Sequence, residues 1–115
     1  MLGTSTSCGL YLNDYIHLGW ANNPSEVVKL QTFLNENLGA NLPVTGVYGQ
    51  ADFNAVTQFQ TKYSSQVLAP WVPLGLPSNM TPTGFVYQTT RWWINRLHCA
   101  SLDLPMPSLQ VYHSR

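Results

Sequence analysis

A chain of 115 residues fits one domain, and at 44% hydrophobic and 12% aromatic it can close a real core. Only 9% of its residues are charged and the formal net charge is zero, where typical soluble domains carry about 25% charged residues. Nucleic-acid binding is excluded by the lack of a basic patch, peripheral membrane binding by the lack of a basic amphipathic stretch, and membrane insertion by the lack of a spanning apolar run.

In chain order, Met1 to Ser7 form an N-terminal arm. The arm lacks the basic start and apolar stretch of a signal peptide, and no lipoprotein-type leucine precedes Cys8. Either a leader is removed before Met1, or export follows another route. A first short helix is predicted from Leu10 to Leu18, because Tyr11, Tyr15 and Leu18, and Leu12 and Ile16, recur at helical spacing; Gly19 would end it.

The second helix carries the clearest signals. Asn23-Pro24-Ser25-Glu26 reads as an N-cap, a proline at the first helical position and a capping glutamate. Val27, Leu30, Leu34 and Leu38 form one apolar stripe with Phe33 beside it, and Gly39 supplies the stop. A tight turn, Leu42 to Gly49, follows with Gly46 and Gly49. The third helix is predicted from about Gln50 to Tyr63, with Phe53, Val56, Phe59 and Tyr63 on one face and Asp52 in the first turn.

Ser64 to Met80 reads as a loop broken by Pro70, Pro73, Gly75 and Pro77, yet apolar enough to pack on the core. A second glycine turn, Thr81 to Gln88, leads into a last helix from about Gln88 to Cys99 with Trp93, Ile94 and Leu97 inward. Thr45-Gly46-Val47 before Phe53-Asn54-Ala55-Val56 matches Thr83-Gly84-Phe85 before Arg91-Trp92-Trp93-Ile94 at a constant offset, a weak internal repeat. The expected core is Leu30, Leu34, Phe53, Val56, Phe59, Ile94 and Leu97.

Residues 8–99 form the domain and 100–115 a tail that Pro105 and Pro107 keep out of helix. Leu102, Leu104, Met106, Leu109, Val111 and Tyr112 would expose several hundred Å2 if free, a size that marks an interface. They are the candidates for self-association, with docking on another copy expected ahead of packing on the tail's own domain. Cys8 and Cys99 flank the helical part. They are either two buried thiols or one disulfide; the secreted character of the sequence favours the disulfide.

Val28-Lys29-Leu30-Gln31-Thr32-Phe33-Leu34, then Val44-Thr45-Gly46-Val47-Tyr48-Gly49, then Ala55-Val56-Thr57-Gln58-Phe59-Gln60 together resemble the peptidoglycan-binding domain family. The likeness spans about Glu26 to Leu97, with Thr83-Gly84 standing where the family repeats its glycine turn. The flanking cysteines look like those of a variant from bacterial cell-surface proteins. The resemblance implies an all-α fold, a compact three-helix bundle to which the N-terminal helix and extended tail are additions. It also implies no catalysis, no cofactor, an extracellular or cell-surface location, and peptidoglycan or wall glycopeptide as partner. Asp52 stands where the family usually has threonine. The Ser64–Met80 loop is longer than the family's and is placed to cover the cleft where wall fragments would lie.

Searching for chemistry supports the non-catalytic reading. There is no G-x-S-x-G, and Cys8 beside His98 is more simply a disulfide cysteine near an ordinary histidine. The acids are Asp14, Glu26, Glu36, Asp52 and Asp103; Glu26 and Asp52 have capping roles, which leaves no evident pair for glycoside cleavage. His17, His98 and His113 show no metal-ligand spacing. Stacking aromatics and amide side chains suit a glycopeptide, which makes Tyr48, Gln50, Asn54 and Trp92 the candidate ligand-binding residues, with Arg96 one turn beyond Trp92 and placed to stack on it. Two functions follow: a wall-binding module, or a structural subunit of a self-assembling filament or surface layer, which the low charge and apolar tail favour.

Overall fold

A computed structural model describes residues 9–109. These residues fold into α1 (Pro24–Leu38), α2 (Gln50–Lys62), the single-turn α3 (Ser64–Val67) and α4 (Gln88–His98), with 3-10 turns at Ala69–Leu74 and Ala100–Leu102. The fold is all-α, and among the described residues there is no strand.

Local chemistry sets the helix ends. The Asn23 side chain accepts from Ser25 N, Pro24 opens α1, and Gly39 closes it at φ 65°. At the start of α2, Gly49 N donates to Asp52 Oδ2 at 2.8 Å, so the acidic first turn caps as expected. Leu30, Leu34, Val56, Phe59 and Ile94 are buried in one core with Val27, Phe33 and Ala55. Phe53 is only partly buried, and Leu97, expected inside, is 37% exposed. It lies in the last turn of α4, one turn past Ile94, where the core ends.

The segment from Leu10 to Leu18 is not a helix. Leu12 and Ile16 are both buried, but residues four apart share a face in an extended chain as well as in a helix. Tertiary bonds decide the outcome. Asn95 Oδ1 accepts from Leu12 N at 2.8 Å and Asn95 Nδ2 donates to Leu12 O at 3.0 Å. Ile16 pairs antiparallel with Val86 through bonds of 3.0 and 2.8 Å. Glu26 is likewise not a capping-box residue. It is buried and accepts from Asn13 N (2.6 Å) and Asp14 N (2.9 Å), with an ion pair to Lys29. Burial pushes its carboxyl up, but the Lys29 ammonium and the two backbone donors outweigh this and hold it below the ordinary carboxylate value.

Ser64 to Met80 is more ordered than a loop. Pro70 sits at the start of a 3-10 turn, where its missing N–H costs nothing, and Val67 and Leu68 are buried. The tail turns back along α4: Leu104 O accepts from Trp92 Nε1 (2.9 Å) and Arg96 Nη1 (3.1 Å), and Ser108 O accepts from Gln88 Nε2 (2.9 Å). From 100 to 109 the tail therefore packs on its own domain, where docking on a second copy was expected. Leu102, Leu104 and Leu109 are half-buried and Met106 is exposed. Val111, Tyr112 and His113 lie outside the described residues, as does Cys8, and with it the pairing to Cys99. No helix among the described residues is long and apolar enough to cross a membrane.

Candidate ligand-binding groove

Two glutamines organise the molecule. Gln31 Oε1 accepts from Thr45 N (2.9 Å) and Gly46 N (3.1 Å), while its Nε2 donates to Val47 O (3.2 Å) and Asp52 Oδ1 (3.1 Å). Gln60 repeats the arrangement: Oε1 accepts from Thr83 N and Gly84 N (both 2.9 Å), and Nε2 donates to Phe85 O (3.0 Å) and Thr90 Oγ1 (3.1 Å). The weak sequence repeat is thus a duplicated device in which each helix holds the glycine turn that opens the next. Asp52 and Thr90 are equivalent acceptors in the two copies. Both positions require the absence of a side chain. Gly46 (φ 82°) lies against Pro24, and an added Cβ at Gly84 (φ 76°) would fall 2.2 Å from the Phe53 ring.

The second glutamine clamp fixes Phe85, and Phe85 carries an aromatic stack to the surface. The His17 ring lies on Phe85 at 3.7 Å and 17°, and Trp20 lies on His17 at 4.5 Å and 11°. The turn bearing Trp20 is locked: Trp20 N donates to His17 O (3.1 Å), His17 N to Asn22 Oδ1 (3.2 Å), and Asn22 Nδ2 back to His17 O (3.0 Å). Trp20 is nevertheless 46% exposed. An indole stacked on one neighbour and partly exposed has the form of a platform for a flat or ring-shaped ligand.

Beside it runs a shallow groove of about 500 Å3 formed by residues 13–15, 20–23 and Arg91. Glu26 secures the opposite wall through Asn13 N and Asp14 N. Arg91 Nη1 donates to Asn13 O at 2.6 Å, and its guanidinium lies 4.8 Å from the centre of the Tyr15 ring, which meets Tyr87 edge-on at 4.6 Å. The groove therefore joins aromatic faces, amides and both signs of charge, from two hydrogen-bonded loops and helix α4. Such a set has the chemistry a polar ligand would need.

A second cavity, about 260 Å3, lies under the Ala69–Leu74 turn and is lined by Trp71, Leu74, Leu76, Phe85 and Tyr87 among others. The long segment after α2 thus forms one wall of a cleft. Polar side chains around it are engaged internally: Gln60 as above, Thr89 Oγ1 with Val67 O (2.6 Å) and Trp71 Nε1 (2.8 Å), and Thr90 with Gln60. The cavity presents apolar surface.

The residues singled out from sequence lie elsewhere. Tyr48 is buried, its hydroxyl donates to Gly84 O at 2.7 Å, and burial, with Asp52 nearby, raises its pKa far above the usual phenol range. Gln50 and Asn54 meet each other at 3.0 Å on the exposed start of α2. Trp92 is bonded to the tail, with Arg96 5.9 Å from its ring centre. The structure brings Gln50 and Asn54 together and joins neither to Tyr48 or Trp92. His98 stacks on Tyr11 at 3.9 Å, away from His17. Among the described residues no group of three His, Cys, Asp or Glu side chains converges. Trp20 is obscured in the sequence by Gly19, which reads as a helix stop. The signal present was a tryptophan among turn-forming residues, Gly19-Trp20-Ala21-Asn22-Asn23-Pro24. Compared with protein-family models, curated proteins and solved structures, the chain matches none.

Proposed function

We propose that this chain is a non-catalytic, extracellular module of the peptidoglycan-binding type, which holds wall glycopeptide of a bacterial envelope in the groove at residues 13–15, 20–23 and 91. The observation that carries the reading is the Trp20 platform, exposed yet fixed by the Phe85–His17 stack, beside a groove of amide and charged side chains. Sugar rings lie on indole faces, and acetamido and peptide groups are read by Asn side chains and by paired charges. The resemblance of the Leu30-Gln31, Thr45-Gly46 and Phe59-Gln60 segments to that family supports the wall as the source of the ligand. A Cys8–Cys99 disulfide suits the same location.

Purified sacculi incubated with the protein at high concentration test this. Retention of the intact chain, and its loss in Trp20→Ala with an unchanged melting temperature, is the expected result. No retention of either protein refutes wall binding.

One observation favours the second reading, self-association in a filament or surface layer. Val28, Val44 and Val47 are all exposed around the Gly46 turn, Val47 at 70%, on a surface with few charges to repel a neighbour. Sedimentation across a concentration series tests it: a monomer throughout counts against assembly.

A further inference from the structure

Ten Lys, Arg, Asp and Glu residues serve the whole chain, five of each sign. Two of them, Asp14 and Arg91, line the one groove with Trp20. They do not neutralise each other: the ion pair among the described residues is Lys29 with Glu26. Opposite charges that share a groove without pairing present a ligand with an anionic and a cationic contact at once.

The fold positions the Arg91 side chain and the Asp14 backbone. Arg91 is oriented by its bond to Asn13 O and by the Tyr15 face beneath it. A guanidinium carries five N–H donors in a rigid fork, and the bond to Asn13 uses only one of its nitrogens, Nη1. That geometry suits a carboxylate. The Asp14 backbone is held by the bond from its own N–H to buried Glu26, and its carboxylate, which lines the groove, accepts hydrogen bonds only, as an ammonium requires.

We infer that the groove recognises a zwitterionic peptidyl saccharide, with a sugar ring on Trp20, a carboxylate against Arg91 and an ammonium against Asp14. The inference rests on the wall-binding reading and narrows it. Neutral glycan alone satisfies the platform and leaves both charges to water. Peptide alone satisfies the charges and leaves the indole open.

The test is a titration of the full chain, followed by tryptophan fluorescence, with four soluble probes. These are a disaccharide-peptide fragment with free amine and carboxylates, the same fragment N-acetylated at the amine, the same fragment with its carboxylates amidated, and the disaccharide without peptide. The free fragment is expected to bind most tightly. Each single block is expected to weaken binding by up to about fivefold, the upper end for an exposed charge pair. In Asp14→Asn the free and N-acetylated fragments should become equivalent. In Arg91→Gln the free and amidated fragments should become equivalent, and Arg91→Lys should restore part of the difference. Equal affinity for all four probes in the native protein, an outcome independent of whether any variant folds, overturns the charge assignment. If no soluble probe binds while sacculi still retain the protein through Trp20, the zwitterion inference is wrong and the wall reading stands. If sacculi do not retain it either, both are wrong.

Discussion

Gln31 and Gln60 show how much a single side chain can carry. Each is buried and each pairs with the backbone on both sides of a glycine turn. Replacing Gln60 by Leu leaves Gly84 N without its partner in the interior, and each buried group left unpaired costs about 1–3 kcal/mol. Gln60→Leu and Gln31→Leu should therefore each lower the melting temperature by several degrees, and a change of under a degree in both would remove the clamps from the account. Glu26 gives a pH signature. Its folded pKa lies below the ordinary value of 4.5, so its contribution is complete above that value and fades as the pH falls through the lowered one. Thermal melts of the native protein and Glu26→Gln, from neutrality to about pH 3, should show a stability gap that closes on the acid side. A gap constant with pH contradicts the assignment. The glutamines stood in the sequence as Leu30-Gln31-Thr32 and Phe59-Gln60-Thr61, but their partners lie 14 to 25 residues away or more. No local pattern signals that pairing.

Helices α1, α2 and α4 could be placed to within a residue or so: cap, apolar stripe and glycine stop agree at α1, while α2 and α4 follow from their apolar stripes and the glycine turns before them. The segment before α1 could not, since Leu12 and Ile16 fit two periodicities and the choice falls to Asn95, 83 positions away. Pro70 and Pro73 read as loop breakers where the chain forms a 3-10 turn. Leu34, fully buried on the α1 stripe, offers a measure of the packing. Leu34→Ala should cost about 2–5 kcal/mol in denaturant melts, and a loss below the measurement error would mean the stripe is not the core. The tail makes a different demand. Truncation after Ser101 removes Leu104 O, the acceptor for both Trp92 Nε1 and Arg96 Nη1. Tryptophan emission should shift to the red as the Trp92 indole meets water, and an unchanged spectrum would show that the tail does not cover it.

On the scale of the whole molecule, the proposed Cys8–Cys99 bond would close the domain end to end. In the chain-entropy model a loop of that length contributes about 4–5 kcal/mol at most. An intact mass that rises on reduction, with a lower melting temperature, is the expected result; two alkylatable thiols in the native protein contradict it. The same long-range closure explains why the candidate groove was hard to find from sequence. Its walls come from residues 13–15, 20–23 and 91, and Arg91 belongs to a helix whose inward stripe drew attention to Trp93 and Ile94 instead. The sequence points to aromatic and amide side chains at Tyr48, Gln50, Asn54 and Trp92, but those side chains are occupied in the core, with each other, or by the tail. The most direct test of the central claim is therefore one of position. Backbone amide shifts of the labelled protein, followed by NMR while solubilised wall glycopeptide is added, should move at Asn13, Asp14, Tyr15, Trp20, Asn22 and Arg91. Shifts confined to Gln50, Asn54 and Trp92, or none at saturating ligand, would contradict it.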